Sequence, residues 1–391
     1  MELKLSEKNF ILFHKPYVTD AEIEAVTEVI RSGWWTMGQK TIDFENDFSS
    51  FLGVKRSVAV NSWTAAGHIA LEAIGIQEGD EVIVPAVTFP ATAEVVCYFK
   101  AKPVFVDVQK DTFNIDPGKI EEAITPRTKA IIPVHYGGQP CDMDEILDIA
   151  KRHNLFVIED AAHAFPAYYK NKAIGTISDI TCFSFYATKT IATGEGGMLC
   201  TNNDSFADRA SIMRLHGIDR DAWKRYSSEG SWYYEIIAPG FKYNITDIAA
   251  SLGITQLKKA NELLQMRNSI KEKYDKGFEG CNLLSTTVKK SDRVSSNHLY
   301  PILINTDILK INKTEFIELL KENGVGVGVH FIPVYRHPYY KNTFNLSNDN
   351  FPISEYIHQR EISLPIWPGM TNEQIDKVIS TVLYILKKNM K

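Results

Sequence analysis

Residues 181–197, TCFSFYATKTIATGEGG, decide how this chain is read. Cys182, Phe183 and Phe185 form an apolar run typical of a strand buried on both faces, with Ser184 carried in it. Lys189 follows, and Gly194-Glu195-Gly196-Gly197 makes a glycine-rich turn. A lysine held just past a strand end, beside small hydroxyl residues, is where a fold can set an amine against an aldehyde. Burial disfavours the charged ammonium, and the neutral amine is the nucleophile that Schiff-base chemistry needs. The competing reading is a solvated loop lysine, the usual fate of that residue. The surrounding chain decides between them.

Working outward, strands and helices alternate. Strands are expected at 57–60, 81–84, 104–106, 130–134, 155–159, 181–185 and 198–201. Helices are expected at 64–75, 92–99, 117–124, 144–153 and 205–215, after two earlier ones at 19–31 and 41–51. Repeated strand–helix units with apolar, non-alternating strands imply an α/β fold with a largely parallel sheet covered on both faces. Residues 219–235 show no periodicity and read as a long loop, a kind more often functional than idle. A long, bent helical pattern at 248–274 leads into a mixed region. There, strands are expected at 299–304, 325–331 and 362–364, with helices at 313–323 and 372–387. The expected organisation is a large domain, 1–250, and a smaller C-terminal α+β domain, 251–391.

Composition agrees with this division. At 391 residues the chain is too long for one core and fits two domains. Its 44% hydrophobic and 23% charged residues are ordinary for a globular protein. A net charge of -5 without a Lys/Arg block argues against nucleic acid as a partner. Cys97, Cys141, Cys182, Cys200 and Cys281 are scattered, odd in number and without CxxC spacing, which favours reduced thiols over a disulfide framework or zinc site. Charges interrupt the apolar N-terminal stretch, and no segment approaches the roughly 20 apolar residues of a membrane span. The expectation is a soluble, cytoplasmic protein.

Three further stretches carry chemistry. Asn61-Ser62-Trp63-Thr64-Ala65-Ala66-Gly67 lies between a strand and a helix, where free N–H groups and the helix dipole favour an anion. Thr64 reads either as a plain helix cap or as a phosphate contact. In Val157-Ile158-Glu159-Asp160-Ala161-Ala162-His163, Asp160 ends a buried strand, the edge where open α/β sheets place ligands. A carboxylate there needs a cation or several donors, and a protonated pyridine nitrogen would serve. Otherwise Asp160 caps the next helix and His163 simply packs. Phe89, in the stretch Pro85 to Thr92, reads as a lid over a flat ring or as a core aromatic. A Schiff-base lysine, an aspartate for a ring nitrogen, an aromatic lid and a phosphate cradle are the parts that pyridoxal phosphate (PLP) needs.

With those parts in place, the sequence resembles the PLP-dependent nucleotide-sugar aminotransferases, the DegT/StrS-type family of fold type I, from about residue 19 to the C-terminus. The stretches that carry the resemblance are VIEDAAHA, FSFYATKTIATGEGG, LHGIDRD, GFKYNITDIAASLGITQL and ISLPIWPGMT. It implies that Lys189 bonds the cofactor and that Asp160 holds its ring nitrogen. It further implies that Phe89 stacks on the ring, that His163 lies beside it, and that Ser184, Thr64 and Ala65 hold the phosphate. Asn244 matches a position that reaches the partner subunit's phosphate, which implies a homodimer with shared sites. The chain departs from the family pattern at Trp63, where a small residue is usual.

The resemblance also implies the reaction. An amino acid, glutamate, gives its amino group to the cofactor, with Lys189 as general base and acid, and a nucleotide-linked keto-sugar receives it. GFKYNITDI and the region of His330 look more like the subgroup that aminates C4 than the C3 subgroup. His330 is read as facing the sugar or as a packed strand-end residue, and Arg220, Lys224 and Arg225 as contacts for the diphosphate or as solvated charges. Two rivals stand beside this reading. A non-catalytic PLP-fold sensor or regulator would need a DNA-binding segment, and none is evident. A nicotinamide dehydrogenase would need GxGxxG after the first strand, which this chain lacks.

Overall fold

The computed structural model describes residues 10–219 and 233–391. Two helices, α1 (Asp20–Ser32) and α2 (Gln39–Leu52), precede the first strand. The elements then run β1 (Arg56–Val60), α3 (Trp63–Ala73), β2 (Glu81–Pro85), α4 (Ala91–Cys97), β3 (Lys102–Val106), α5 (Pro117–Ala123), β4 (Thr128–Ile131), α6 (Met143–His153) and β5 (Phe156–Asp160). Short ladders β6 (Tyr168–Tyr169) and β7 (Lys172–Ala173) lead to β8 (Ile180–Ser184), β9 (Gly197–Thr201) and α7 (Asp204–Met213). Helices α8 (Asp247–Lys258) and α9 (Ala260–Phe278) follow. The C-terminal part holds β10 (Leu284–Thr286), β11 (Arg293–Val294), β12 (Tyr300–Ile304), α10 (Lys313–Glu322), α11 (Pro338–Thr343), α12 (Pro352–His358), β13 (Glu361–Leu364) and α13 (Asn372–Lys388).

The main sheet has seven strands in the order β1-β9-β8-β5-β4-β2-β3. All its pairings are parallel except those of β9, which runs antiparallel to both β1 and β8. The exception has a local cause. β9 follows β8 through the tight loop that carries Lys189, with no crossover helix to turn the chain around. Both faces are covered, as the apolar strands require. Phe44 and Phe48 of α2 pack with Phe165, Phe183 and Phe185 on one face, while α3 and α7 pack on the other. The expected α/β fold of type I architecture is what the chain adopts.

The smaller sheet, β10-β12-β13, is antiparallel and shares a core with α9, α10 and α13. Ile11 joins that core and bridges Val325. The strand expected at 325–331 is reduced to two isolated bridges, Ile11 with Val325 and Gly328 with Ser363. The bent helix expected at 248–274 is two helices, broken at Lys259. Helix α3 starts at Trp63 and not at Thr64, because Ser62 takes the cap position and its Oγ accepts the Ala65 N–H. Most of the loop expected at 219–235 lies outside the described residues, and Arg220, Lys224 and Arg225 lie there with it.

Candidate active site

A cavity of about 370 Å³ opens at the C-terminal ends of β5 and β8. Thr64, Phe89, Asp160, His163, Ser184, Lys189 and His330 all line it, so residues from five separate stretches of sequence meet in one place. Glycine makes one close approach possible. A Cβ at Gly197 would sit 2.4 Å from the Ser62 carbonyl oxygen, so only a bare backbone lets β9 abut the start of α3. That contact sets Ser62 and Thr64 beside Ser184 and Lys189.

Asp160 is 4% exposed and held on both oxygens. Oδ1 accepts the Ala162 N–H at 3.0 Å, and Oδ2 accepts the Thr92 hydroxyl at 2.8 Å. Thr88 in turn lies 2.7 Å from Thr92 and supplies the next proton in the chain. Burial pushes the Asp160 carboxyl up to about 6, an effect that Ala162, Thr92 and the nearby Lys189 offset only in part. Burial lowers the Lys189 amine to about 8, with Asp160 opposing the shift and the buried Arg267 adding to it. Each group is therefore closer to neutral than in water, which is the state a nucleophilic amine requires.

The cavity also collects four histidines, His14, His163, His298 and His330. Burial holds all four well below the usual imidazole range, His14 and His330 to about 3. His163 is 7% exposed, stacks on Phe331 at 5.9 Å, and its Nδ1 has no hydrogen-bond partner among the described residues. Arg267, fully buried, donates from Nη1 to the carbonyls of His298 (3.2 Å) and Ile366 (2.6 Å), and among the described residues no carboxylate pairs with it. Sequence reading missed His14, His298, Thr92 and Arg267. None sits in a turn or at a strand end with a spacing that marks it.

Other expectations are resolved by placement. Phe89 is 60% exposed and faces the cavity, which removes the core reading. Ala65 does not line the cavity; it is buried and its N–H is taken by Ser62. Trp63 turns its indole into the core, where Nε1 donates to the Cys182 carbonyl at 3.0 Å. The large residue therefore ties α3 to β8 while still lining part of the cavity. Asn244 is not among the lining residues of its own chain; its amide bonds the Ile245 carbonyl and accepts from Lys242.

A mostly parallel sheet with a lysine, a buried carboxylate and an aromatic wall at one strand edge defines the fold type I aminotransferase class. The model of the DegT/DnrJ/EryC1/StrS aminotransferase family matches residues 16–383, and the chain belongs to that family of PLP-dependent enzymes. It is 52% identical over 383 residues to Uncharacterized protein MJ1066 of Methanocaldococcus jannaschii, covering 98% of this chain and 99% of that one. It is 46% identical over 380 residues to the Spore coat polysaccharide biosynthesis protein SpsC of Bacillus subtilis, covering 97% and 98%. Its fold matches the PLP-form of the putative sugar aminotransferase Spr1654 of Streptococcus pneumoniae with a TM-score of 0.91, at 34% identity over 98% of this chain and 100% of the other.

The site's own donors fit the cofactor. Asp160 is a buried carboxylate with no cation in hydrogen-bond contact among the described residues, and His163 leaves a buried nitrogen unpartnered beside it.

Proposed function

We propose that this enzyme moves an amino group from glutamate to C4 of a nucleotide-linked keto-deoxysugar, working as a homodimer in the cytoplasm. The observation that carries the reading is the meeting of Lys189, Asp160 and His163 at one cavity of about 370 Å³. The names of SpsC and Spr1654 favour a sugar acceptor. The choice of C4 rests on the resemblance of residues 240–248 and 325–331 to one subgroup, and the choice of glutamate on the family resemblance alone.

PLP, when bound, supplies the carbonyl that takes up the amino group and a ring that withdraws electrons from the reacting carbon. Lys189 would hold the cofactor through its amine and would move a proton at the reacting carbon; burial lowers that amine to about 8, so more of it is unprotonated near neutral pH than in water. Asp160 would hold the ring nitrogen in its protonated form, a cation for a carboxyl that burial raises to about 6. Phe89 forms one wall for the ring. Thr64 and Ser184 offer hydroxyls to the phosphate, and Asn244 reaches across from the partner subunit. Ala65 contributes its place in the turn and no free N–H. Arg220, Lys224 and Arg225 bind the substrate's diphosphate; an unchanged KM for sugar nucleotide in the triple alanine variant would remove that assignment.

The test is an absorption spectrum of the purified protein with PLP. Glutamate should bleach the visible band of the lysine-bound cofactor, and a keto-sugar nucleotide should restore it. A protein that binds PLP but responds to no amino donor would be a sensor, not an enzyme.

A further inference from the structure

Strand β13 carries two buried polar side chains that the reaction above does not use. Glu361 is 1% exposed and Ser363 fully buried, and their spacing of two sets both on one face of the strand. That face meets the segment that ends in His330. Gly328 and Ser363 exchange both backbone hydrogen bonds, at 3.0 and 2.9 Å, which fixes the approach. One Glu361 oxygen accepts the His330 backbone N–H at 2.9 Å, and the other accepts the Ser363 hydroxyl at 2.6 Å. The Ser363 oxygen lies 2.9 Å from His330 Nδ1. His330 lines the active-site cavity, and its Nε2 makes no hydrogen bond among the described residues.

The Tyr136 hydroxyl, which donates to the His330 carbonyl, also bonds Glu361 and Ser363, so the proton count turns on which way Ser363 donates. Ser363 has one hydrogen. When Glu361 is ionised, that hydrogen points to the carboxylate, so His330 must donate from Nδ1 and Nε2 carries a lone pair. When Glu361 is protonated, its O–H donates to Ser363, Ser363 donates to Nδ1, and Nε2 carries the hydrogen. The two states differ by one proton. It enters at Nε2, the Nδ1 hydrogen passes to Ser363, and the Ser363 hydrogen passes to Glu361.

We propose that Ser363 and Glu361 are positioning residues that set the tautomer of His330, so that His330 takes a proton from the cavity and returns it without becoming a cation. Charge explains the need. Burial, with Lys189 adding to it, holds His330 to about 3, so an isolated imidazole there would be a poor base. With the relay, the added charge cancels that of a buried carboxylate instead of appearing beside Lys189. Burial raises the Glu361 carboxyl to about 7, against the pull of Ser363, the His330 N–H, Lys313 and Tyr136, so the exchange falls near neutral pH. Lys313 of α10 is the ammonium facing Glu361, and it also bonds the His358 carbonyl, while Tyr136 donates its hydroxyl to the His330 carbonyl. The inference rests on the sugar aminotransferase reading only for the proton's source, a substrate hydroxyl or ammonium.

The experiment is long-range proton–nitrogen NMR on the full-length, PLP-loaded protein labelled with ¹⁵N-histidine, with His330 assigned by loss of its signals in His330→Gln. His330 should be the Nδ1–H tautomer at high pH and the Nε2–H tautomer at low pH, with no imidazolium shift between. Ser363→Ala should abolish the change and Ser363→Thr should keep it. Glu361→Gln should hold Nε2–H throughout, because its amide must donate to Ser363. With substrate, Ser363→Ala should lower kcat about tenfold or more with KM nearly unchanged, and Ser363→Thr should restore it. A tautomer that ignores pH in the wild type, or still follows it in Ser363→Ala, overturns the relay. The NMR readout needs no substrate, so a failure of the aminotransferase reading would leave it untouched.

Discussion

Glu159 and Asp160 are neighbours on β5, both buried, and point to opposite faces of the sheet. Glu159 is saturated. His135 Nε2 lies 2.8 Å away, and the hydroxyls of Ser178 (2.7 Å) and Thr181 (3.0 Å) donate to its other oxygen. His135 is itself fixed, because its Nδ1 accepts the Cys141 N–H at 3.0 Å. Burial raises the Glu159 carboxyl, yet His135 and the two hydroxyls hold it below its ordinary value. Asp160 has fewer donors and a carboxyl raised to about 6, and its neighbour His163 has a nitrogen with none among the described residues. Two acids of equal burial thus differ in what they still need. The satisfied pair holds the fold together, and the unsatisfied pair is open to a ligand.

Substitutions on the two faces should separate these roles. The largest effect is expected at the cavity: Lys189→Ala should lower transamination by about 10³-fold or more while the far-ultraviolet spectrum and urea midpoint stay close to wild type. Asp160→Asn should cost on the order of 10²-fold in kcat with little loss of stability. It should also move the pH profile of Lys189 acylation, read by peptide mass spectrometry. The amine reacts only when unprotonated, so labelling rises through about pH 8 in the wild type; without the Asp160 charge, the midpoint should fall. Glu159→Gln should leave that midpoint in place and instead lower stability by about 2 kcal/mol in urea unfolding. An activity loss in Glu159→Gln as deep as in Asp160→Asn would erase the distinction. The smallest change is expected for Trp63→Phe, which keeps the ring but loses the bond to Cys182: about 1 kcal/mol, with PLP affinity unchanged.

Legibility followed the range of the forces involved. The strands, α3 and the glycine turn were readable because apolar runs, caps and tight turns are decided within a few residues. Lys189, Asp160, Phe89 and Ser184 were readable for the same reason, as each stands at the end of a strand or in the loop after it. The strand expected at 325–331 was misjudged because its apolar pattern does not reveal that Gly326 and Gly328 pack against Phe10 and Phe13. Thr92 was passed over because its partner, Asp160, is 68 residues away.

The sequence by itself determined the α/β class, the family and the Lys189–Asp160 pair, since each depends on local pattern or on motifs that stand whole in the chain. Only the tertiary structure decided which face each side chain took. It turned Trp63 into the core, exposed Phe89 to the cavity, gathered His14, His163, His298 and His330 around Lys189, and set Ser363 and Glu361 behind His330. Those outcomes depend on packing between segments far apart in the chain, where burial and hydrogen-bond satisfaction, and not local propensity, set the energy.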